Sequence, residues 1–262
     1  MHLPHKSNAK HTTFNLKGCK ALVITTSQAT LDTIDSKTGE TKKIGAATGV
    51  YASEMTEPYY TFLDAQMEVD LASIKGGKIP IEKLSLMPLV RTEYDVRYMN
   101  DPDFQEKSNH SKAISEIDFR EYDIVFLAGG WGAAYDMAQS HVLSTKISEA
   151  YASKVILGAV CHGTLGFIGA QKPNGSPLVE GVKVTGVTNR QLKQLFVSQT
   201  PKHPETELVN ANAIYKSNTG LIDMFNTLVQ VDKEHLIVTG QNQKAGTQAA
   251  QEALLLLQEK RK

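Results

Sequence analysis

The strongest chemical signal in the sequence is a cysteine that follows an apolar run and precedes a histidine and a glycine. Residues 155–160 read VILGAV, and Cys161, His162 and Gly163 come next. A strand, one sharp turn and a helix are the layout of a nucleophile elbow, which holds a nucleophile above the carboxyl edge of a parallel sheet. Because the N-terminus of such a helix favours a thiolate over a thiol, we predict that Cys161 is a nucleophile with a lowered pKa.

A free cysteine is more often a small buried hydrophobe than a nucleophile, so the residues around it decide between the two interpretations. A core position needs neither the titratable His162 nor Gly163. Adjacent residues on a tight turn point in different directions, so His162 contacts the thiol only if the turn is strained. The imidazole can still tune the thiolate or move a proton on a substrate.

A glycine-rich run follows a second apolar segment, DIVFLA at residues 123–128. Glycines at a strand end let the backbone approach a ligand closely and direct N–H groups toward it. An ordinary tight turn does not need three glycines in four positions, so we predict an oxyanion hole that the N–H of His162 completes. Trp131 would form a wall of the pocket. The run consists of Gly129, Gly130, Trp131 and Gly132.

The composition excludes several function classes. The chain has 262 residues and 41% hydrophobic content, enough for one large α/β domain or two small ones. Its 28 basic residues balance its 28 acidic residues, so we expect neither a nucleic-acid partner nor an anionic membrane. No apolar run has the length of a membrane span. Two cysteines, Cys19 and Cys161, make no disulfide framework, which favours a reducing cytoplasm.

Segments with strand-like and helix-like spacing alternate along the chain, which predicts a mostly parallel sheet with helices on both faces. In such sheets ligands bind beyond the carboxyl ends of the strands. The loop after Thr26, the glycine run and Cys161 would meet there. Pro58 predicts a kink or a late start in the first helix. The predicted strands are residues 20–26, 68–73, 123–128, 155–160, 228–231 and 235–239, with exposed strands in 179–188, and the main predicted helices are 50–65, 142–152 and 247–259.

The chain organisation predicts a flexible N-terminal arm at residues 1–18 and a single domain at residues 19–262. Residues 82–118 form the least regular stretch and predict an inserted helical cap. The arm lacks the apolar stretch of a signal peptide. Its His2, His5 and His11 have no supporting cysteine or carboxylate pattern, so we expect no metal site.

An ordered set of motifs resembles the ThiJ/PfpI superfamily, which has the fold of class I glutamine amidotransferases. The motifs are the glycine run through Asp136, AVCHG around Cys161, TG-x-Y-x-x-E-x-x-x-P around Glu54, VDLAS-x-KGG-x-x-P at 69–80, and TGQN at 239–242. The best match is the larger branch, which includes glutathione-independent glyoxalases (glyoxalase III) and heat-shock chaperone-like proteins. The resemblance covers the chain from about residue 20 to the C-terminus.

This resemblance implies a flavodoxin-like three-layer sandwich, a homodimer, and an enzyme that converts methylglyoxal to lactate without a cofactor or metal. It implies Cys161 as the nucleophile, Glu54 as its acid–base partner and His162 as the adjacent histidine. The sequence by itself does not distinguish Glu54 from Glu57. A protonated Glu54 would donate a hydrogen bond to the thiolate and stabilise it. The thiolate would add to the aldehyde, and a proton would move between the two carbons through an enediol.

The sequence departs from this branch at two positions. The branch usually supplies an acidic residue just after the segment that matches 184–189, where this chain has Arg190 and Gln191. Trp131 stands where the branch often has histidine. We therefore predict that His162 is weakly oriented, and that Gln191, Asn189 or Glu205 is the residue that could hold it.

Two other functions are compatible with the sequence. A reachable thiol with a low pKa would oxidise readily, as in a non-enzymatic stress protein that acts as a redox sensor or holdase chaperone. His203 and Glu205 match the His-x-Glu pattern of glutamine amidotransferases, which would indicate amidotransferase or peptidase activity if His203 reached Cys161. Pro201 and Pro204 predict a loop there, with a helix that begins near Glu205.

Overall fold

The computed structural model describes residues 14–35, 37–38, 40–195, 200–220 and 226–262. The strands, in chain order, are β1 (Lys20–Thr25), β2 (Thr33–Ile34), β3 (Thr41–Lys43), β4 (Glu68–Ser73), β5 (Lys112–Ala113), β6 (Ile124–Leu127), β7 (Ile156–Val160), β8 (Lys183–Val184), β9 (Ile214–Tyr215), β10 (Val229–Asp232) and β11 (Ile237–Gly240). The α-helices are α1 (Ala52–Asp64), α2 (Glu93–Met99), α3 (Pro102–Asn109), α4 (His141–Ala152), α5 (Asn189–Gln194), α6 (Pro204–Asn210) and α7 (Gly246–Lys260).

Seven strands form the central sheet in the order β10-β11-β7-β6-β1-β4-β5. Neighbouring strands are parallel, except that β10 runs antiparallel to β11 at one edge. The strands β7, β6 and β1 lie next to one another, so their carboxyl ends share one edge of the sheet. The turn at Cys161 (the cysteine turn), the glycine run at 129–132 and the loop after Thr26 therefore lie side by side, as the sequence predicts.

Helices cover both faces of the sheet, because strand residues alternate between two apolar cores. Ala21 and Val23 of β1 pack in the core that α1 and α7 cover. Leu22 and Ile24 pack in the core that α4 covers. The predicted flavodoxin-like three-layer sandwich is confirmed.

Helix α1 carries Glu54 and is buried from its first residue through Phe62, since it packs against the sheet, α7 and α2. The sequence predicts a kink or a late start at Pro58, but the helix begins at Ala52 and continues through Pro58 to Asp64. Proline has no N–H to donate to the carbonyl one turn earlier, which belongs to Glu54.

The insertion at residues 82–118 contains the two short helices α2 and α3. Both pack on α1 through aromatic contacts of Tyr60 with Tyr94 and Phe104. The insertion also supplies β5, the edge strand beside β4. We propose on this basis that residues 19–262 form one domain, with the insertion as part of it.

Two predictions about the outer parts of the chain need correction. The predicted arm reaches too far, because Leu16 is only 5% exposed and its N–H donates to the carbonyl of Ala65 at 2.9 Å. Residues 1–13 of that arm lie outside the described residues. The segment 179–188 is not a pair of exposed strands, because Val182, Val184 and Val187 are buried and the strand there spans two residues. Across the described residues, no helix is long and apolar enough to cross a membrane.

Candidate active site

The cysteine turn has the backbone of a nucleophile elbow. Strand β7 ends at Val160, and a 3-10 helix runs over Cys161–Phe167. Cys161 has a φ of 56°, the left-handed region that costs a non-glycine residue about 1–2 kcal/mol. The Thr164 hydroxyl donates to the carbonyl of Cys161 at 2.9 Å and helps to hold this conformation. The strained turn lifts the side chain of Cys161 above the carboxyl edge of the sheet.

The strain also brings the neighbouring imidazole onto the sulfur. The Sγ of Cys161 lies 3.4 Å from Nδ1 of His162. The indole of Trp131 packs against that ring, with 4.9 Å between the ring centroids. Burial, and secondarily the charge of His203, lower the pKa of His162 to about 3. His162 is therefore neutral at physiological pH and offers the thiolate no countercharge.

Gly129, the first residue of the glycine run, lies between Glu54 and the turn at Cys161, where a side chain does not fit. A Cβ on Gly129 would lie 2.3 Å from Oε2 of Glu54 and 2.9 Å from the backbone N of His162. Gly130 has a φ of 104°, which disfavours any side chain. The backbone N–H groups of Gly130 and His162 face the sulfur and favour its charged form. Their role as an oxyanion hole stays a prediction.

Glu54 lies in this site with almost no contact with solvent, at 1% exposure. Burial raises the pKa of its carboxyl to about 8, although the Cys161 thiol and the N–H groups of Gly129 and Gly130 partly offset the rise. Within the described part of the chain, its Oε2 has no hydrogen-bond partner. A buried carboxyl with a raised pKa and a free oxygen can hold a proton and release it to a bound molecule.

The thiol does not have the lowered pKa that the sequence predicts. Burial is the largest cause that raises the pKa of Cys161, which is 7% exposed, and the adjacent carboxylate of Glu54 adds to it. The two N–H groups act in the opposite direction and are outweighed. The sequence identifies the turn and its N–H groups, but it does not reveal that a carboxyl and a layer of side chains exclude water from the sulfur.

Cys161 and Glu54 therefore titrate as a coupled pair rather than as two independent groups. Both carry protons at low pH. Loss of one proton gives a monoanion whose charge lies on the carboxylate or on the sulfur, and the remaining proton lies on the other group. The monoanion with a thiolate and a protonated Glu54 is the nucleophilic form. Its abundance rises as pH passes the first ionisation of the pair.

Comparison with known proteins assigns the chain to a family. The model of the DJ-1/PfpI family matches residues 44–247. The chain belongs to the DJ-1/PfpI family. This confirms the resemblance drawn from the ordered motifs.

The relatives and solved structures to which this chain is similar include proteins named as glyoxalases. A glutathione-independent glyoxalase of Schizosaccharomyces pombe is 30% identical over 83% of this chain and 91% of the relative. The Rapid Encystment Protein of 24 kDa from Francisella tularensis has a TM-score of 0.79 and 28% identity, over 91% of this chain and 99% of that one. Glyoxalase III of Candida albicans shares the fold, with a TM-score of 0.73 and 24% identity over 91% and 97% of the two chains.

The residues predicted to orient His162 have other partners in this DJ-1/PfpI protein. In the described residues, Nε2 of His162 has no hydrogen-bond partner, so none of the three candidates holds it. Gln191 caps α5, where its Oε1 accepts from the N–H of Thr188 at 3.0 Å. The backbone N–H of Asn189 donates to Glu205 at 2.6 Å. The contact of Asn189 with Glu205 joins α5 to α6, and the weak orientation of the imidazole stays a prediction.

Two further carboxylates of the site have roles that the sequence does not reveal. Asp136 accepts from the Thr26 hydroxyl at 2.8 Å and the Ser27 N–H at 2.7 Å, which connects the glycine run to the loop after β1. Glu57 lies one helical turn after Glu54 and contacts the start of α7. The spacing from Glu54 is visible in the sequence, but the partner 190 residues away is not. No group of three potential metal ligands occurs among the residues described.

Replacing Gly129 with alanine should reduce turnover by about 10- to 100-fold, because its Cβ would displace Glu54 from the sulfur. The contact is with the Glu54 carboxylate and with the carbonyl of Val160, 2.6 Å away. The kcat/KM for the aldehyde substrate proposed below is the readout. Gly175→Ala is the control. A Cβ on the exposed Gly175 meets no atom within 4 Å, so its φ of 84° strains only the local turn and kcat/KM should not change. Equal activities of the two variants would contradict this steric role.

Proposed function

We propose that this chain is a cysteine-dependent enzyme that isomerises and hydrolyses small 2-oxoaldehydes, with methylglyoxal converted to lactate without glutathione. The observation that carries the proposal is the buried Cys161–Glu54 pair, which two backbone N–H groups face. A nucleophile, a proton carrier and an oxyanion hole are the groups that this reaction needs. The relative from Schizosaccharomyces pombe, named a glutathione-independent glyoxalase, supports the choice of substrate.

The first half of the reaction forms a covalent adduct. The Cys161 thiolate adds to the aldehyde carbon, C1, and the electron pair of the C=O bond moves to the oxygen. The N–H groups of Gly130 and His162 would stabilise this oxyanion until it takes the proton from Glu54. The product is a neutral hemithioacetal on Cys161, and Glu54 is left as a carboxylate.

The second half moves one hydrogen between adjacent carbons. The Glu54 carboxylate removes the proton from C1, and the electron pair forms a C1=C2 double bond. The electrons of the C2=O bond move to the C2 oxygen, which takes the proton that the C1 hydroxyl gives up, so the intermediate is an enediol in its singly ionised form. Glu54 then returns a proton to C2, so C1 is oxidised to a thioester as C2 is reduced to an alcohol. No external oxidant or reductant is consumed. Water hydrolyses the thioester, which releases lactate and restores the thiol.

A direct assay tests this proposal. Purified protein is incubated with methylglyoxal in buffer free of glutathione and other thiols, and lactate is measured over time. Lactate formation that scales with protein concentration is the expected result. A rate no higher than that of the Cys161→Ser variant would overturn the proposal.

The geometry of the site does not favour a redox sensor or an amidotransferase. A redox sensor needs an accessible thiolate, whereas burial raises the pKa of the Cys161 thiol. An amidotransferase needs His203 as the base on the sulfur. Among the described residues, the imidazole in contact with the sulfur is that of His162, and His203 begins α6 as its N-cap.

His162→Asn should reduce kcat/KM by only about tenfold, less than substitutions of Cys161 or Glu54. Burial lowers the pKa of the imidazole to about 3, so it accepts a proton poorly at neutral pH. Its contribution is the 3.4 Å contact with the sulfur and the packing against Trp131. Steady-state kinetics on methylglyoxal provide the measurement. A loss as large as that of Cys161→Ser would mean that His162 carries an essential proton.

We further propose a homodimer in a reducing compartment such as the cytoplasm. The reducing setting is supported by Cys19 and Cys161, which are both free. Exposed apolar side chains occur in the insertion, including Leu84, Leu89 and Met99, and would suit a contact between subunits. Sedimentation equilibrium tests the dimer, and a monomer at micromolar concentration would contradict it.

A further inference from the structure

We propose that Glu57 is a positioning residue that connects the docking of α7 to the ionisation of the Cys161–Glu54 pair. This inference deepens the proposed function and rests on that pair as its reacting groups. Glu57 follows Glu54 by one helical turn, so the two carboxylates lie on the same side of α1. Glu57 is 6% exposed and, like Glu54, is shielded from solvent that would otherwise screen its charge.

Glu57, a residue of α1, caps the N-terminus of α7. Its Oε2 accepts from the backbone N–H of Thr247 at 2.8 Å, in the first turn of α7. A Cβ on Gly246 would lie 2.5 Å from the same oxygen, so glycine at the first residue of α7 permits the contact. First-turn N–H groups have no partner within their own helix, and a carboxylate there is favoured by the helix dipole.

The start of α7 packs behind the cysteine turn. A Cβ on Gly240, the last residue of β11, would lie 2.7 Å from Cβ of Ala245 and 3.2 Å from Cγ2 of Val160. Val160 precedes Cys161 directly. The N–H of Thr247 donates to Glu57, and this hydrogen bond therefore fixes the start of α7. That segment follows the TGQN motif and packs against the strand end that precedes Cys161.

Glu57 also acts on the pair through its charge. Its carboxylate contributes to the raised pKa of Glu54, after the larger effect of burial. Burial raises the pKa of Glu57 itself to about 7, and the N–H of Thr247 partly offsets the rise. Because the reactive form of the pair is a monoanion, an anionic Glu57 disfavours it. Other charged or titratable groups that face Glu57 come from α2 and are Glu93, Tyr94 and Asp95.

Glu57→Gln separates the charge from the hydrogen bond, because the Gln carbonyl oxygen can still accept from Thr247. We expect the pH midpoint of Cys161 alkylation to fall by roughly half a unit to one unit, since removal of a nearby anion favours the monoanion. Iodoacetamide is the probe, and mass spectrometry of the peptide that contains Cys161 is the readout. The thermal unfolding midpoint should stay close to that of the wild type.

Two further variants make the outcomes decisive. Glu93→Gln removes an exposed carboxylate that faces Glu57 and should leave the pH midpoint of Cys161 alkylation unchanged. Glu57→Ala removes both the charge and the cap, so it should lower the alkylation midpoint and also the thermal unfolding midpoint. An unchanged alkylation midpoint in Glu57→Gln overturns the inference and leaves Glu57 a purely structural cap. Alkylation needs no aldehyde turnover, so a shifted midpoint without lactate formation would refute the proposed function and not this inference.

Discussion

Replacing Cys161 with serine is expected to reduce lactate formation from methylglyoxal to the background rate, a loss of more than about 1,000-fold. The serine hydroxyl fits the same space above β7, but it ionises far less readily than a thiol in a site where burial already raises the pKa of the native group. The backbone strain at a φ of 56° should be unaffected, so the variant should fold with an unchanged unfolding midpoint.

The matched control for this variant is Cys19→Ser. Cys19 is fully buried at the start of β1, and its sulfur contacts Nη1 of Arg261, away from the site. Its substitution should leave kcat/KM within about twofold of the wild type, since the thiol takes no part in the reaction. Comparable lactate formation by Cys161→Ser and Cys19→Ser would exclude Cys161 as the nucleophile.

Replacing Glu54 with glutamine is expected to lower kcat for methylglyoxal by about 100- to 10,000-fold, the usual contribution of a positioned proton carrier. Glutamine matches the carboxyl in shape and can still face the sulfur, but it cannot carry a proton between C1 and C2. Cys161 should still react with iodoacetamide in this variant, because the N–H groups of Gly130 and His162 remain in place. Turnover and alkylation, measured on the same preparation, separate the two roles.

Glu68→Gln is the control for the loss of a carboxylate. Glu68 is exposed at the start of β4, at the edge of the sheet opposite the strand ends that carry the site. Its substitution should not change kcat. If Glu54→Gln retained turnover within a few-fold of the wild type, another group would have to carry the proton.

The pH dependence of Cys161 alkylation follows from the same pair. Burial raises the pKa of Glu54 to about 8, and the thiol pKa is raised as well, so the neutral pair is the main form below that pH. Reactivity should rise as pH increases through the first ionisation of the pair, near that value. Alkylation rates across a pH series measure it. A midpoint far below neutral pH would restore the lowered thiol pKa that the sequence predicts.

The sheet and the position of the cysteine could be predicted from the sequence because both depend on local pattern. The strand at residues 68–73 agrees with β4, and the strand at 155–160 differs from β7 by one residue. A buried parallel strand is a continuous apolar run, and Cys161 follows one directly. The glycines at 129 and 130 indicate a close approach of backbone. The structure places Gly129 against Glu54 and His162, and Gly130 against the backbone of residues 49–51.

The chemistry of the site depends on contacts between distant segments, which local pattern does not contain. Glu54 and Glu57 look alike in sequence, and only the folded chain places one on Cys161 and the other on Thr247. The predicted lowering of the Cys161 pKa is wrong, because burial has a larger effect on this pKa than the N–H groups of the turn. The capping box that occupies Gln191 could have been recognised from the Thr188-x-x-Gln191 spacing.

Acid quenching during turnover, followed by peptide mass spectrometry, tests most directly whether Cys161 and Glu54 act together as proposed. The peptide that contains Cys161 should gain the mass of one methylglyoxal, in a form that hydroxylamine removes, because a thioester forms only after the hydrogen has moved from C1 to C2. In Glu54→Gln that hydroxylamine-labile adduct should be absent. Wild-type protein that makes lactate through an adduct on another residue, or a Glu54→Gln variant that forms the thioester at the wild-type rate, would contradict the mechanism.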